Sequence, residues 1–320
     1  MNPHVSSDLG AAARRPYRPR RTTGAPTVSV VVASNRSRAL LSDCLNSLLP
    51  QCAQRGAEIV VARAADASDL AQVTRAYPRV RVIGVQPGAS IPQLRGIGMA
   101  AAAGDVVALT EDHCVVDPRW LETLTKGLSA DADVAGGSMD NAQRDRVIDW
   151  AAYFSEYGFF SMARPENPEA PPLLTGANVA YTRRVIDSVV AWASEGDWEN
   201  VAHERLLAGG SALRFVRTAA VYQNKNYRLR DFCIDRFEHG RAYARRRLAE
   251  DPRSHRWLLL FGSPMLPVLL IFRVARAAAK TRWSEFIRAL PATFLFLTAW
   301  SIGEATGYLR GPAQLGPVAS

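Results

Sequence analysis

The chain has 320 residues, of which 48% are hydrophobic and 22% are charged, and this composition excludes a globally disordered protein. The length fits one α/β core of roughly 200–230 residues with an appendage. Lys and Arg number 39 against 30 Asp and Glu, a net charge of +9 that is also typical of nucleic-acid-binding proteins.

The distribution of the charge argues against nucleic acid. Net charges of +4, +5 and +4 fall in residues 1–24, 225–256 and 273–310, which lie outside the predicted core. The last two segments flank apolar runs, where arginines are typically attracted to anionic lipid. We therefore expect membrane lipids, and no nucleic acid, among the partners.

The N-terminal residues and the cysteines indicate the cellular setting. Residues 1–26 are rich in Arg and Pro and contain no apolar segment of a secretory signal, so they are predicted to form a disordered basic arm. The four cysteines show no CxxC spacing, which is typical of reduced cytoplasmic thiols.

From residue 27 onwards, strand and helix patterns alternate. Strands are predicted over residues 28–34, 58–62, 80–85 and 105–110, and helices over 38–49, 68–76, 92–103 and 118–129. The first helix is expected to stop at Pro50, and Asp117 is expected to cap the fourth. This alternation predicts an α/β fold with a doubly wound, mostly parallel sheet flanked by helices.

After Val134 the pattern is looser. Helices are predicted over residues 147–157, 183–193, 198–208 and 231–248, strands over 178–182, 213–216 and 220–222, and a loop over 163–172. Two apolar segments follow, 257–272 and 289–303, each slightly short for a membrane span. Spanning, re-entrant and interfacial helices all remain open, as do buried helices of a soluble domain, and the length of the segments favours membrane association.

Polar residues follow two of the predicted strands. Ser34, Asn35 and Arg36 come after the first strand. The triplet Glu111-Asp112-His113 comes after the fourth. Ligands of open α/β sheets bind at the carboxyl ends of the strands.

The triplet predicts a metal site. Glu111 and His113 project to the same side, and a carboxylate with an imidazole suits Mn²⁺ or a similar divalent ion bridging a diphosphate. A solvated loop, with Asp112 capping a turn, is the alternative.

A glycine pattern lies nearby. Residues 96–101 match GxGxxA but do not follow a strand, so close helix packing by small residues explains them better than dinucleotide binding. Arg95, near the start of the same helix, is a candidate phosphate contact.

These motifs together resemble a known family. VSVVVASNRSRALLSDCLNSLLPQ (28–51) looks like the opening of a family 2 glycosyltransferase with the GT-A nucleotide-sugar fold. PQLRGIGMAAAAGDVVALTEDHCVVDPRWLETL resembles that family's Arg-x-x-Gly helix, Ala-x-Gly-Asp turn, strand and Asp-x-Asp metal motif, with Glu111 and His113 at the two acidic positions. TGANVAYTRRVID (175–187) resembles its acceptor-side segment, and WENVAHERLLAGG (198–210) stands where its catalytic-base helix is expected.

The resemblance implies inverting transfer of a sugar from a nucleotide-diphosphate donor to a hydroxyl acceptor, assisted by Mn²⁺ or Mg²⁺. The residues it implies fall into four groups. The catalytic base is Glu199, with Glu204 second; the metal ligands are Glu111 and His113; the donor-binding residues are Ser34, Asn35, Arg36, Asp66, Arg95 and Asp112; and the acceptor-binding residues are Gly176, Asn178 and Trp198.

The chain departs from the family pattern at two places. The metal motif is Glu-Asp-His rather than Asp-x-Asp. At the end of the second strand, where the family has an acidic residue for the nucleotide base, the chain has Arg63, and Asp66 is the nearest carboxylate. A non-catalytic sugar-nucleotide-binding scaffold at the membrane is therefore the alternative function.

The expected organisation places the catalytic part at a membrane. Residues 1–26 form the arm, 27–224 the GT-A domain, 225–256 a basic interfacial helix region, 257–310 two apolar membrane-associated helices, and 311–320 a tail. The acceptor is expected to be a lipid-linked or cell-envelope glycan, and the location the cytoplasmic face of the inner membrane.

Overall fold

The computed structural model describes residues 27–129, 131–164, 173–250 and 255–311. The predicted N-terminal arm, nearly all of the C-terminal tail and most of the loop predicted over 163–172 lie outside these residues. Within them the chain forms eight strands and eleven α-helices.

The strands are β1 (Val28–Ser34), β2 (Glu58–Ala64), β3 (Arg81–Val85), β4 (Val106–Glu111), β5 (Cys114–Val116), β6 (Val134–Asn141), β7 (Val179–Thr182) and β8 (Leu213–Gln223). The helices are α1 (Arg38–Arg55), α2 (Ala67–Ala76), α3 (Ile91–Ala101), α4 (Trp120–Lys126), α5 (Val147–Glu156), α6 (Arg183–Ser194), α7 (Glu199–Ala208), α8 (Leu229–Glu250), α9 (Arg256–Gly262), α10 (Leu266–Ala278) and α11 (Trp283–Arg310).

All eight strands belong to one sheet, in the order β3-β2-β1-β4-β7-β6-β8-β5. The half formed by β3, β2, β1 and β4 is parallel, and β7 joins β4 in the antiparallel direction. In the other half, β6 pairs with β8 in parallel and with β7 antiparallel, and β5 is antiparallel to β8. The α/β sheet flanked by helices is thus confirmed, with antiparallel pairings in its second half.

Uninterrupted apolar runs explain the centre of the sheet. In β1 the residues Ser29–Ser34 are all buried, and every residue of β4 is buried, as expected of strands covered by helices on both faces. On one face α3 lies so close to the sheet that a side chain at Gly98 would overlap Val31. Gly98 therefore serves close packing of this helix on the sheet, as predicted.

Several predicted boundaries were wrong. α1 continues through Pro50 to Arg55 and ends at Gly56, which has a left-handed conformation. Asp117 does not cap α4, which begins at Trp120 after Arg119, although the Asp117 carboxylate accepts a hydrogen bond from the Arg119 N–H.

The sheet also holds more strand than the sequence indicated. β5 and β6 were not predicted, and β8 is one continuous strand instead of two short ones. Gly136 and Gly137 within β6 conceal its pattern, and tertiary contact requires Gly137, because a side chain there would overlap the Ala219 carbonyl.

The C-terminal helices pack on the sheet domain. Val274 and Ala278 of α10 and Phe286 and Phe296 of α11 belong to the same hydrophobic core cluster as Val30 of β1. Two segments, Arg256–Ala278 and Trp283–Arg310, are long and apolar enough to cross a membrane by length and composition alone. The domain boundaries stay a prediction.

Candidate active site

The carboxyl ends of β1, β2 and β4 meet at one edge of the sheet. Ala33 is paired with Glu111, and Ser34 is paired with Arg63, so the last residues of the three strands are in register. The residues that follow β1 and β4 are therefore neighbours, although 76 positions separate Arg36 from Asp112. This is the edge at which open α/β sheets bind ligands.

Arg95 joins two carboxylates at this edge. It lies one turn into α3, whose start is fixed by a capping box between Ser90 and Gln93. Its Nη1 is 2.6 Å from Glu199 Oε2 and its Nη2 is 2.5 Å from Glu111 Oε1. The planar guanidinium suits such a double contact, which ties the metal-motif strand to the predicted base helix.

Glu199, the first residue of α7, is held from a second side. Its Oε1 accepts a hydrogen bond from the Gly176 N–H at 3.0 Å. A side chain at position 176 would overlap the Arg95 guanidinium, so Arg95 could keep its present position only beside a glycine. Burial disfavours the charged form of Glu199, but Arg95 and the Gly176 N–H outweigh it, and the pKa of Glu199 lies below its usual value.

Glu204, the second candidate base, is exposed on α7. His203 is buried one turn after Glu199 and contacts Tyr181, with 2.8 Å between Nε2 and the phenolic oxygen. Burial lowers the pKa of His203 to about 4, so this imidazole is neutral near pH 7.

The metal-motif residues lie together in the turn between β4 and β5. The Nδ1 atom of His113 is 3.4 Å from Glu111 Oε2 and 4.0 Å from Asp112 Oδ1. The opposite ring nitrogen, Nε2, is 3.3 Å from the hydroxyl of Tyr157, which fixes the orientation of the imidazole.

These distances fit a metal with two protein ligands. Ligands at about 2.0–2.2 Å from one ion lie about 3.0–3.5 Å apart when they are adjacent in its coordination sphere, close to the separation of Glu111 Oε2 and His113 Nδ1. Asp112 Oδ1 is buried without a hydrogen-bond partner beside them. Among the described residues no group of three His, Cys, Asp or Glu side chains is arranged to hold an ion, so a substrate or water would supply the remaining ligands.

Asp112 connects the ends of the strands. Its Oδ2 accepts hydrogen bonds from Ser34 Oγ at 2.9 Å and from the Arg36 N–H at 2.7 Å. Burial raises the pKa of Asp112 above its usual value, although the hydrogen bonds that its carboxylate accepts act to lower the pKa. Arg63 donates to Ser34 Oγ at 2.6 Å, so two of the predicted donor-binding residues, Ser34 and Asp112, share one buried polar network.

The remaining donor candidates differ in position. Asn35 and Arg36 are exposed directly beyond β1. The structure does not bring Asp66 into the buried network, because its carboxylate caps α2 by accepting a hydrogen bond from the Asp69 N–H. Asp69 instead forms an ion pair with Arg63 at 2.5 Å.

Two of the predicted acceptor residues have contrasting surroundings. Asn178 is completely buried, and its side chain bonds Trp120, Ser138 and Ala219, so it holds β6, β7 and β8 together. Trp198 is 37% exposed. The Arg95 guanidinium lies 5.7 Å from the centre of its ring, so Trp198 has a free surface at the site and Asn178 does not.

Sequence reasoning missed Asp69 and Tyr157 in this network. Nothing in their spacing marks them, because both reach the site through tertiary packing.

A surface hollow of 390 Å³, lined by residues including Arg119, Lys126 and Arg214, lies between α4 and β8 and contains none of the residues of the network.

Comparison with known proteins identifies the family. Residues 25–203, more than half of the chain, match the model of "Glycosyltransferase like family 2". The chain belongs to this family.

Solved glycosyltransferases share the fold of this family 2 chain. The mannosyltransferase PcManGT from Pyrobaculum calidifontis, solved in complex with GDP-Man and Mn²⁺, is 16% identical with a TM-score of 0.55, and the likeness covers 90% of this chain and 88% of that one. TarS 1–349 of S. aureus, solved in complex with UDP-GlcNAc, is 15% identical with a TM-score of 0.50, covering 90% and 93%. At these identities the likeness shows the fold.

One curated relative is similar in part. "Inactive polypeptide N-acetylgalactosaminyltransferase-like protein 5" of Macaca fascicularis is 24% identical over an alignment of 137 residues, which covers 38% of this chain and 31% of the relative. The chain therefore spans less than a third of that relative's length.

Proposed function

We propose that this family 2 chain is an inverting glycosyltransferase that moves a sugar from a nucleotide-diphosphate donor to a hydroxyl group. The acceptor is a lipid-linked or cell-envelope glycan, and the reaction takes place at the cytoplasmic face of the inner membrane. The observation that carries the proposal is the bridge from Glu111 through Arg95 to Glu199. It joins a metal-motif carboxylate and a base carboxylate at the ligand-binding edge of the sheet.

Glu199 is the proposed base. It removes the proton of the acceptor hydroxyl as that oxygen forms a bond to the anomeric carbon, while the bond from that carbon to the diphosphate breaks. Glu199 is ionised near pH 7, as a general base must be, although its pairing with Arg95 lowers its pKa and makes it a weaker base than an unpaired carboxylate. The exposed face of Trp198 beside Arg95 offers the acceptor sugar an apolar surface.

Glu111 and His113 are the proposed ligands of Mn²⁺ or Mg²⁺. A divalent ion held by these two side chains would neutralise the charge of the departing diphosphate. PcManGT, which has the same fold, was solved with GDP-Man and Mn²⁺, and this supports the donor class and the ion. Arg36, exposed beyond β1, supplies further positive charge for the phosphates, whereas the Arg95 guanidinium is already paired with Glu111 and Glu199.

A non-catalytic sugar-nucleotide-binding scaffold is the second candidate function. Arg63 stands at the end of β2, where the family has an acid, and it is held there by Ser34 and Asp69. The partial similarity to a relative named inactive points in the same direction. This candidate predicts nucleotide binding without turnover.

A thermal-shift screen against UDP, GDP, dTDP and CDP, with and without Mn²⁺, tests donor binding by the full chain. Stabilisation by one nucleotide only in the presence of metal supports the site and names the donor class. No stabilisation by any nucleotide contradicts both candidate functions.

The Glu199→Gln variant separates the two candidates. We expect it to bind the nucleotide normally but to transfer sugar at least ~100-fold more slowly, because an amide cannot accept the proton. The matched control is Glu204→Gln on the exposed face of the same helix, which should transfer sugar at the wild-type rate. Binding by the wild type without transfer to any acceptor would favour the scaffold.

A further inference from the structure

The apolar C-terminal helices have features of a membrane contact. Five exposed apolar side chains of the segment Arg256–Ala278 follow one another at steps of three or four residues, the spacing of one helical face; they are Leu258, Phe261, Met265, Leu269 and Phe272. Phe261 is 76% exposed and Leu258 is 71% exposed. We call these five side chains the apolar stripe.

Exposed basic residues continue beyond the apolar stripe. They are Arg273, Arg276, Lys280 and Arg288. A bilayer leaflet with anionic headgroups complements both features, because it accepts the apolar side chains and attracts the cations.

The loop between the two apolar segments lies against the catalytic sheet. Arg282, directly before α11, forms an ion pair with Asp140 of β6 at 2.6 Å. Its guanidinium also lies 5.5 Å from the centre of the Trp150 ring in α5. In a spanning hairpin this loop would lie on the far side of the membrane, roughly 30 Å from the catalytic domain.

The opposite end of the hairpin is closed on itself and contacts α8. The Arg256 side chain donates hydrogen bonds to the carbonyls of Tyr308 and Leu309 at the end of α11. Tyr308 packs in one buried cluster with Ala244 of α8. The Ser301 hydroxyl donates to the carbonyl of Ser263, directly after α9, so the end of α9 is also joined to α11.

Helix α8, which packs against α11, is too highly charged to enter a hydrocarbon layer. α8 lies in backbone contact with α11, because side chains at Gly303 and Gly240 would overlap carbonyls of the other helix. α8 carries six arginines, at positions 230, 236, 241, 245, 246 and 247. Moving this helix into the bilayer with α11 would place those charges in lipid, at a cost of several kcal/mol each.

We propose that the two apolar segments lie in the plane of one membrane leaflet and do not cross the bilayer. The apolar stripe enters the acyl layer, and the loop at residues 279–282 stays on the same side as the active site. This inference depends on the proposed membrane association but not on sugar transfer.

Cysteine labelling of the full chain in membrane vesicles tests the topology. Cys233 is replaced by Ser, since the other three native cysteines are buried. Lys280→Cys then reports on the loop, and Ser68→Cys on the exposed face of α2 reports on the catalytic domain. Both should react with a membrane-impermeant maleimide from the same side of the vesicle, and reaction from opposite sides overturns the proposal.

Vesicle binding tests the apolar stripe. A truncation before Arg256 would remove the buried Phe286 and Phe296 from the core, so surface substitutions are preferable. In full-length protein with phosphatidylglycerol vesicles, the double variant Phe261→Glu/Leu269→Glu should bind at least ~10-fold more weakly, since each side chain loses transfer into an apolar phase. Val147→Glu, which replaces an exposed valine on α5, should bind as the wild type does.

Two outcomes count against the stripe. If the Phe261→Glu/Leu269→Glu variant binds vesicles as tightly as the Val147→Glu control does, the apolar stripe does not enter the acyl layer. A stable dimer of the wild type in lipid-free solution that the stripe variant abolishes would show that a second copy covers the stripe. Nucleotide-induced stabilisation should be unchanged in all these variants, so failure here is distinguishable from failure of the proposed function.

Discussion

Arg95 and Glu199 are 104 positions apart in the chain, yet 2.6 Å separates their Nη1 and Oε2 atoms. Burial opposes the charge of Arg95, but Glu199 and Glu111 more than compensate, and the pKa of this guanidinium is raised. The contact brings α3 and α7 to the same edge of the sheet, where Arg95 also pairs with Glu111.

Replacement of Arg95 by Lys should impair the site without removing the charge. A single ammonium group cannot hold two carboxylates in one plane, so we expect transfer to fall by at least ~10-fold and the melting temperature to decrease. Steady-state kinetics and calorimetry measure the two effects. Arg81→Lys is the control, because Arg81 donates to the Ala101 carbonyl at the surface. Wild-type values for both variants would exclude a role for the bridge.

Glu111→Gln and His113→Ala should each remove the metal-dependent part of nucleotide binding. Loss of either ligand leaves one protein donor, which is too few to retain the ion beside the diphosphate. The measurement is the nucleotide-induced thermal shift during titration with Mn²⁺ and then EDTA. Glu204→Ala, which removes an exposed carboxylate of α7, is the control. An unchanged response to Mn²⁺ in both variants would place the ion elsewhere.

Protonation of His203 should destabilise the fold in acid. Its pKa is about 4 in the folded chain and about 6.5 in an unfolded one, so the unfolded state binds more protons between these values. Stability is therefore complete above pH ~6.5 and decreases as the pH falls towards ~4, by at most about 3 kcal/mol.

Urea denaturation of the wild type and of His203→Gln at pH 7 and pH 5 tests this. Glutamine can still hydrogen-bond the Tyr181 hydroxyl, and it does not titrate. The wild type should lose more stability than the variant between the two pH values. An equal loss would show that His203 does not titrate as described.

Gly303→Ala should separate α11 from α8. The added methyl group would overlap the Phe237 carbonyl, which is backbone and cannot turn away. We expect destabilisation of about 1–3 kcal/mol from overpacking, measured as a lower melting temperature. Gly262→Ala at the end of α9 is the matched control, because nothing lies within 4 Å of a side chain there. Similar melting temperatures for both variants would mean that the two helices are not in close contact.

The local sequence determined much of the fold. Buried β-branched runs such as 28–34 predicted the central strands, and the residues directly after β1 and β4 marked the ligand-binding edge. The strands could be predicted because a parallel strand that is buried on both faces consists of consecutive apolar residues. β6 was missed because Gly136 and Gly137 carry no such pattern.

The geometry of the site was decided by tertiary structure. Glu199 and Glu204 are both glutamates of the same helix, so the sequence does not decide between them. In the folded chain Glu199 contacts Arg95, whereas Glu204 is exposed. Asp66 was the nearest acid in sequence to the end of β2, yet it caps a helix, and Asp69 contacts Arg63 instead. Spacing along the chain gives the face of one element, whereas contacts between elements depend on how they pack.

For the apolar C-terminal segments, too, the sequence determined one property and the tertiary structure another. The sequence established that 257–272 and 289–303 are apolar and flanked by cations, which indicates a membrane but no topology. Only the folded chain places Arg282 beside Asp140 and the charged helix α8 along α11. Hydropathy reflects the free energy of transferring an isolated segment from water into a membrane. In the folded chain, the position of that segment also depends on the helices packed against it, which would have to move with it.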